Sequence, residues 1–201
     1  MDRRQFIQAG SAASVLGVAA GCASTGGGSG AGGNVVVVGG GYGGATAAKY
    51  IRMWSEGRVN VTLVEPNDSF ISCPISNLVI GGSKQMADIT TPYDNLARRH
   101  GVKIIKDRAV SIDAGKRTVT LAGGTVLPYD RLVLSPGIEF MWDALPGLKK
   151  PGAQDKVLHS WNAGPQTVAL RKQLEAMPDG GVYALTITLS HYSVPPGPYE
   201  R

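Results

Sequence analysis

The chain has 201 residues, enough for one or two domains with a sizeable core. Its 20 Lys and Arg residues against 15 Asp and Glu residues give a formal net charge of +5, spread along the sequence without a helix-turn-helix, zinc or aromatic RNA-binding motif, which argues against nucleic acid as a partner. Cys22 lies in a predicted export segment and Cys73 is the other cysteine, so no disulfide framework is expected.

The first 22 residues resemble a twin-arginine export signal, which predicts a periplasmic protein. Two adjacent arginines precede a mildly apolar stretch, residues 9–21, that is too short and too rich in Gly and Ala to span a bilayer. Cys22 follows Ala-Ala-Gly, which is similar to a lipobox and suggests a lipid anchor at that cysteine, with ordinary cleavage nearby as the alternative. Residues 23–33 contain only Ala, Ser, Thr and Gly and predict a flexible linker.

A β-α-β unit is predicted directly after the linker. Residues 34–39 indicate a strand, residues 43–55 a helix with one apolar face, and residues 59–65 a second strand. Because such crossovers are right-handed, the two strands are expected to lie parallel in one sheet.

Gly39, Gly41 and Gly44 form the pattern G-x-G-x-x-G between the first strand and the helix. In this pattern Gly39 allows a tight turn, Gly41 lets the backbone approach a pyrophosphate, and Gly44 lets the helix pack on the strand. Glu65 follows Gly44 by 21 residues, where an acid is expected to bind a ribose hydroxyl of FAD or NAD and to repel the extra phosphate of NADP. A glycine-rich turn with a solvated acid is the alternative.

Further elements follow along the chain. Thr91-Pro92 predicts the cap and first position of a short helix that ends at His100, before Gly101. The remaining predicted elements are a strand at 102–105, an antiparallel hairpin of 117–121 and 125–127 around Gly123-Gly124, a buried strand that stops at Pro136-Gly137, a helix from 164 to 177 and a strand at 182–189.

Together these features resemble the flavoprotein subunit of flavocytochrome c sulfide dehydrogenase, a relative of sulfide:quinone reductase and the disulfide reductases. The motifs that carry the resemblance are the glycine pattern with Glu65, the strand from Tyr129-Asp130 to Ser135-Pro136-Gly137, and the segments 72–77 and 195–201. The resemblance implies an enzyme that binds FAD, oxidises sulfide to sulfur and passes electrons to a c-type cytochrome subunit.

Cys73 matches the cysteine through which some members of that family attach FAD covalently. A thiolate is a good nucleophile, and this cysteine follows the predicted ribose acid in a loop that a flavin could reach. A small buried thiol is the alternative.

The sequence departs from the family at its redox-active disulfide. One family cysteine directly precedes the Pro-Pro-Gly-Pro-Tyr-Glu-Arg segment, and this chain has Val194 there. Valine cannot form a disulfide or accept sulfur, and the region that holds the partner cysteine in the family is not in this sequence.

The predicted fold is α/β: a Rossmann-like FAD-binding domain with a parallel sheet and an antiparallel hairpin. It is expected to cover residues 34–178, incompletely, with residues 179–201 as the start of a truncated second nucleotide-type domain. The first functional hypothesis is an FAD-dependent sulfide dehydrogenase subunit. The second is a truncated, non-catalytic flavoprotein without the redox disulfide, and an NAD-binding dehydrogenase domain is weaker because no catalytic constellation follows the glycine pattern.

Overall fold

The structure, a computed structural model, describes residues 32–186. The strands are β1 (Gly32–Val38), β2 (Val59–Val64), β3 (Ser69–Ile71), β4 (Thr90–Pro92), β5 (Lys103–Ile105), β6 (Ala109–Asp113), β7 (Thr118–Leu121), β8 (Val126–Pro128) and β9 (Arg131–Leu134). The α-helices are α1 (Tyr42–Trp54), α2 (Asn77–Ile80), α3 (Asp94–His100), α4 (Ala153–Lys156) and α5 (Pro165–Glu175), and 3₁₀ turns lie at Met86–Ile89, Trp142–Ala144 and Pro146–Lys149.

The central sheet is parallel and has the strand order β5-β2-β1-β9. Helix α1 connects β1 to β2, so the predicted β-α-β unit with parallel strands is confirmed. β1 starts at Gly32 rather than Asn34, because Gly32 pairs with Val59 of β2. A register shift lies between Gly32 and Asn34. A side chain at Gly32 would collide with the carbonyl of Arg58.

Both faces of the parallel sheet are buried, which explains the unbroken valine run in β1. Val35 and Val37 point to one face, where they pack with Ala48 of α1 and Tyr93. Val36 points to the other face and packs against β7. Alternate residues of one strand therefore supply two cores, one beneath the helices and one beneath the antiparallel sheet.

The antiparallel sheet has the order β6-β7-β8, and it confirms the predicted hairpin with a third strand added. The turn between β7 and β8 contains Gly124 at φ +85°, a conformation that favours glycine. Sequence reasoning missed β6 because its apolar side chains, Val110 and Ile112, are exposed and carry no core signal.

The prediction that Thr91-Pro92 caps and starts a helix is wrong. Both residues lie in β4, which pairs antiparallel with β3, with Pro92 opposite Ser69. Proline lacks an N–H and is tolerated at such short edge pairings. Helix α3 starts at Asp94 instead and ends at His100, the predicted last residue, with Gly101 in the left-handed conformation at φ +64°.

The strand predicted at 182–189 is not formed in its described part. Residues 182–186 have no regular secondary structure and are exposed. A strand requires a hydrogen-bonded neighbour, and no strand within 32–186 pairs with this segment. The predicted export signal with Cys22, most of the linker, and the segment with Val194 lie outside the described residues.

Helices in the described range are short. None of those between residues 32 and 186 is long and apolar enough to cross a membrane.

Candidate functional site

Three glycines build the turn from β1 to α1 at the carboxyl edge of the parallel sheet. Gly39 has φ +95°, and a side chain there would overlap the carbonyl of Ser135. A side chain at Gly44 would overlap the carbonyl of Gly39, so the helix can pack this close only with glycine at both positions. At Gly41 the nearest atom to such a side chain is a ring carbon of Phe70 at 4.0 Å, so the backbone is open there.

The N-terminus of α1 is available for an anion. Gly41 is its N-cap residue, and in the described part of the chain no side chain caps this end and no acidic residue lies in the first turn. The first amides of a helix have no partner within the helix, and the helix dipole adds positive potential. Open backbone and unfilled amides suit a phosphate at this point.

Glu65 lies directly after β2 and reaches the same turn. Its Oε2 accepts a hydrogen bond from the Gly40 amide at 2.7 Å. Its Oε1 accepts from the backbone amide of Asn67 at 3.0 Å and from the Asn67 side chain at 2.7 Å. The residue is only 8% exposed, yet Oε2 accepts a single hydrogen bond and keeps a second lone pair that a ribose hydroxyl can use.

Tyr93 is a residue of this site that sequence reasoning missed. Its hydroxyl donates a hydrogen bond to the Gly40 carbonyl at 2.9 Å. Burial raises the pKa of Tyr93 to about 12, and the nearby charge of Glu65 adds to the shift, so the hydroxyl keeps its proton. Nothing in the local sequence marks this residue, because the contact joins positions 53 residues apart.

Strand β9 brings the Ser135-Pro136-Gly137 segment beside the glycine turn. The Ser135 amide donates to the Val38 carbonyl at 2.8 Å, which continues the β1–β9 pairing to the edge where the turn begins. At the other end of β9, Asp130 Oδ2 accepts from the Asn34 amide at 2.6 Å. Ligands of open α/β sheets bind at this carboxyl edge.

Cys73 lies in the loop between β3 and α2, next to this site. The preceding residue, Ser72, hydrogen-bonds through its hydroxyl to that of Tyr42 in the first turn of α1. The Cys73 sulfur is 3.5 Å from Asn162 Oδ1 and accepts from the Ala163 amide at 3.5 Å. The sulfur is half-buried and is contacted by a loop some 90 residues further along the chain.

These residues fit a dinucleotide with a diphosphate and an unphosphorylated ribose. The turn at Gly41 has open space beside its backbone, the first turn of α1 supplies amides, and Glu65 places a carboxylate beside the same turn. The individual binding roles of Gly39, Gly41, Gly44 and Glu65 stay predictions. Their convergence on one turn is the geometry that such a ligand requires.

Comparison with known proteins identifies the family to which the chain belongs. Residues 33–176 match the model of the pyridine nucleotide-disulphide oxidoreductases, and residues 167–201 match the model of the central part of the sulfide dehydrogenase (flavocytochrome c) flavoprotein chain.

Two curated relatives and one solved structure illustrate the likeness. The chain is 27% identical over 135 residues to a mitochondrial sulfide:quinone oxidoreductase of Dictyostelium discoideum, covering 66% of this chain and 30% of the relative. It is 58% identical over 38 residues to a sulfide dehydrogenase (flavocytochrome c) flavoprotein chain of Chlorobaculum thiosulfatiphilum, covering 19% of this chain and 77% of that sequence. The structure of the sulfide:quinone oxidoreductase of Aquifex aeolicus superposes with a TM-score of 0.57 at 28% identity, covering 71% of this chain and 31% of that one.

The chain thus spans about a third of the length of the sulfide:quinone oxidoreductases it matches. The family match nevertheless extends over most of the described residues and includes the whole glycine turn, Glu65 and Cys73. The chain belongs to the pyridine nucleotide-disulphide oxidoreductase family, a family of FAD-dependent oxidoreductases.

Proposed function

We propose that this chain binds FAD as the flavoprotein part of a periplasmic sulfide dehydrogenase that passes electrons to a c-type cytochrome. The observation that carries the proposal is the convergence of the glycine turn, Glu65 and the Cys73 loop on one edge of the sheet. The match of residues 167–201 to the sulfide dehydrogenase flavoprotein supports sulfide as the electron donor. The export signal predicted in residues 1–22 supports the periplasmic location.

The number of electrons that sulfide loses determines how many electron transfers to the cytochrome the reaction needs. Hydrogen sulfide ion loses two electrons and one proton when it becomes sulfur. A haem accepts one electron at a time, so two transfers to a c-type cytochrome complete one turnover. A bound flavin supplies the ability to take two electrons and release them singly.

The residues of this chain would hold the cofactor at its diphosphate and at its adenosine ribose. The amides at Gly41 and the first turn of α1 would bind the diphosphate, and Glu65 would orient the adenosine ribose. Glu65 is held by Gly40 and Asn67, so its carboxylate is in place before any ligand arrives. Such preorganisation reduces the entropy lost on binding.

Cys73 is the candidate covalent tether. Forming a thioether to a methyl group of the flavin ring would remove one proton from the thiol and one from the methyl group, and two electrons would pass one at a time to the c-type cytochrome. Asn162 Oδ1 lies where it can accept the thiol hydrogen, and the Ala163 amide donates to the sulfur. This pair of contacts supports a fixed orientation of the sulfur.

A second candidate function is an FAD-binding protein that does not oxidise sulfide. Val194 favours it, because valine replaces the cysteine of the family disulfide. Sulfide would then lack the sulfur that it attacks in the family's mechanism.

One experiment separates the two candidates. The full chain is expressed with its export segment, the flavin-to-protein ratio is measured after purification, and sulfide-dependent reduction of a c-type cytochrome is followed. Retained flavin with cytochrome reduction supports the proposal, and retained flavin without reduction supports the second candidate. A chain that folds but retains no flavin contradicts both.

Mass spectrometry after acid denaturation tests the tether separately. A flavin adduct on the Cys73 peptide, absent from the Cys73→Ser variant, is the expected result. Retained flavin that is entirely released by acid contradicts the tether but leaves FAD binding intact.

A further inference from the structure

A cleft of about 530 Å³ lies between helices α1 and α3, beside the glycine turn. The proposed FAD site uses the turn itself, and the cleft continues from Gly41 along the side of α1 to Lys49. At 1.5 Å per residue this is about 12 Å along the helix. The volume falls in the range of small-molecule sites. We refer to it as the α1–α3 cleft.

The two helices run in the same direction along the cleft. At one end the Tyr93 hydroxyl, just before α3, donates to Gly40 before α1. At the other end Arg52 of α1 donates through Nε to the carbonyl of His100, the last residue of α3, at 3.0 Å. The cleft therefore has an N-terminal end, near the glycine turn where both helices begin, and a C-terminal end, near His100 where both helices end.

The C-terminal end of the cleft is cationic. Lys49, Arg99 and His100 line it, and among the described residues neither Lys49 nor Arg99 forms an ion pair. Lys49 Nζ lies 5.2 Å from the ring centre of Tyr50, a contact that brings no acidic group to it.

Helix ends of this kind carry negative potential from their last carbonyls, and Arg52 offsets it here. Besides His100, its guanidinium donates to the carbonyls of Gly57 and Val59, both at 2.6 Å. The cation of Arg52 thus reduces the negative potential that the last carbonyls of α3 would otherwise place at this end of the cleft.

The rest of the cleft is largely apolar. Phe70, Ile89 and Leu96 supply its walls, and Ile89 is only 2% exposed. Phe70 packs edge-on against Tyr42, with ring centres 4.7 Å apart. Asp88 is the acid that lines the cleft, and its Oδ2 accepts from the Gln85 amide at 2.8 Å, which directs the carboxylate to the backbone.

We propose that the α1–α3 cleft binds a small amphipathic anion, with its acidic group at Lys49 and Arg99 and its apolar body against Phe70, Ile89 and Leu96. An acidic group gains charge-assisted hydrogen bonds from cations that have no acidic partner in the described chain. The apolar body removes the partly exposed side chains of Phe70 and Leu96 from water. Its acidic group lies at the opposite end of the cleft from Gly41, the residue proposed to bind the dinucleotide phosphates.

Decanoate is a suitable probe, because its extended chain is close to the length of the cleft and it carries one charge. Binding to the full chain is measured by calorimetry at low salt, with 1-decanol as the uncharged probe. Arg99→Ala is expected to weaken decanoate binding about tenfold, the loss of one charge-assisted contact, and to leave decanol unaffected.

Arg98→Ala is the matched control. Arg98 is the neighbour of Arg99 on the same helix, is exposed, and does not line the cleft. It changes the net charge equally, so its decanoate affinity is expected to equal that of the unmodified chain. Equal losses in both variants would mean general charge attraction and would overturn the proposal, as would absence of decanoate binding.

A second variant tests the cleft rather than the charge. Thr46→Phe fills the cleft from an exposed position on α1 and is expected to block both probes. Unchanged decanoate binding in this variant would place the probe elsewhere and overturn the proposal. Flavin retention, measured on the same samples, reports separately on the proposed FAD site.

Discussion

The carboxylate of Glu65 accepts a hydrogen bond from the backbone amide of Gly40 at 2.7 Å. This bond joins the end of β2 to the glycine turn after β1, 25 residues earlier. Tyr93 donates to the carbonyl of the same glycine, so both polar backbone groups of Gly40 are paired in a buried environment. Glu65 and the glycine turn therefore form one hydrogen-bonded unit before any ligand binds.

Replacing Glu65 by Ala is expected to reduce both stability and flavin retention. The change leaves the buried Gly40 amide without its acceptor, at a cost of about 1–3 kcal/mol, and removes the carboxylate proposed to bind the ribose. Denaturant unfolding and the flavin-to-protein ratio measure the two effects. Asp68→Ala is the control: Asp68 forms an exposed ion pair with Lys106, and its loss is expected to change neither quantity. Full flavin retention in Glu65→Ala would contradict the assigned role.

Replacing Gly44 by Ala is expected to destabilise the fold by about 1–3 kcal/mol, because the new methyl group meets the Gly39 carbonyl. Helix α1 must move away from β1, which also displaces the amides proposed to bind the phosphate. Gly147→Ala is the comparison, since no atom lies within 4 Å of a side chain there. The prediction fails if the two variants unfold at the same denaturant concentration.

The raised pKa of Tyr93 leads us to expect a lower free energy of unfolding at alkaline pH. Its pKa is about 12 in the folded chain against an ordinary value of 10.0, so the unfolded chain releases this proton first. The stabilisation is complete below pH 10 and is lost as the pH rises from 10 to about 12. Tyr93→Phe removes this contribution, so the difference in unfolding free energy between the two proteins should shrink across that range. A constant difference would refute the assignment.

The lowered pKa of His159 leads us to expect a lower free energy of unfolding at acidic pH. Its side chain packs against Phe140, with ring centres 4.5 Å apart, and its Nδ1 is buried with no hydrogen-bond partner in the described chain. Burial lowers the pKa of His159 below 6.5, so the unfolded chain takes up the proton first as the pH falls. Stability present above pH 6.5 is therefore lost below it.

The variant His159→Phe keeps an aromatic ring and cannot titrate. Unfolding free energies measured between pH 7.5 and pH 5 should fall less steeply for this variant than for the unmodified chain. Parallel curves would mean that His159 makes no contribution.

Replacing Cys73 by Ser is expected to abolish acid-stable flavin while leaving non-covalent flavin in place. Serine keeps a hydrogen-bonding group beside Asn162 and Ala163 but is a far weaker nucleophile than a thiolate. Protein-bound flavin absorbance before and after acid precipitation measures both fractions. Acid-stable flavin in the serine variant would place the attachment at another residue.

Local sequence determined the elements that depend on neighbouring residues. The valine run of β1, the glycine turn and the helix after it follow from strand and turn chemistry within about 20 residues. Helix α3 ends where Gly101 supplies a left-handed residue, which is also a local property.

Tertiary contacts decided the elements that depend on distant partners. β4 forms because residues 69–71 pair with Thr90–Pro92, and that pairing overrides the local signal for a helix cap. The exposed strand β6 exists through its pairing with β7.

At the site, sequence alone determined which residues could contact a dinucleotide, and the fold decided which other residues support them. Gly39, Gly41, Gly44 and Glu65 follow from spacing, because a β-α-β crossover returns the chain to the same edge of the sheet. Tyr93 on Gly40, and Asn162 beside Cys73, are separated from their partners by 53 and 89 residues. No local pattern encodes such contacts, because they arise only when the sheet and the later helices pack together.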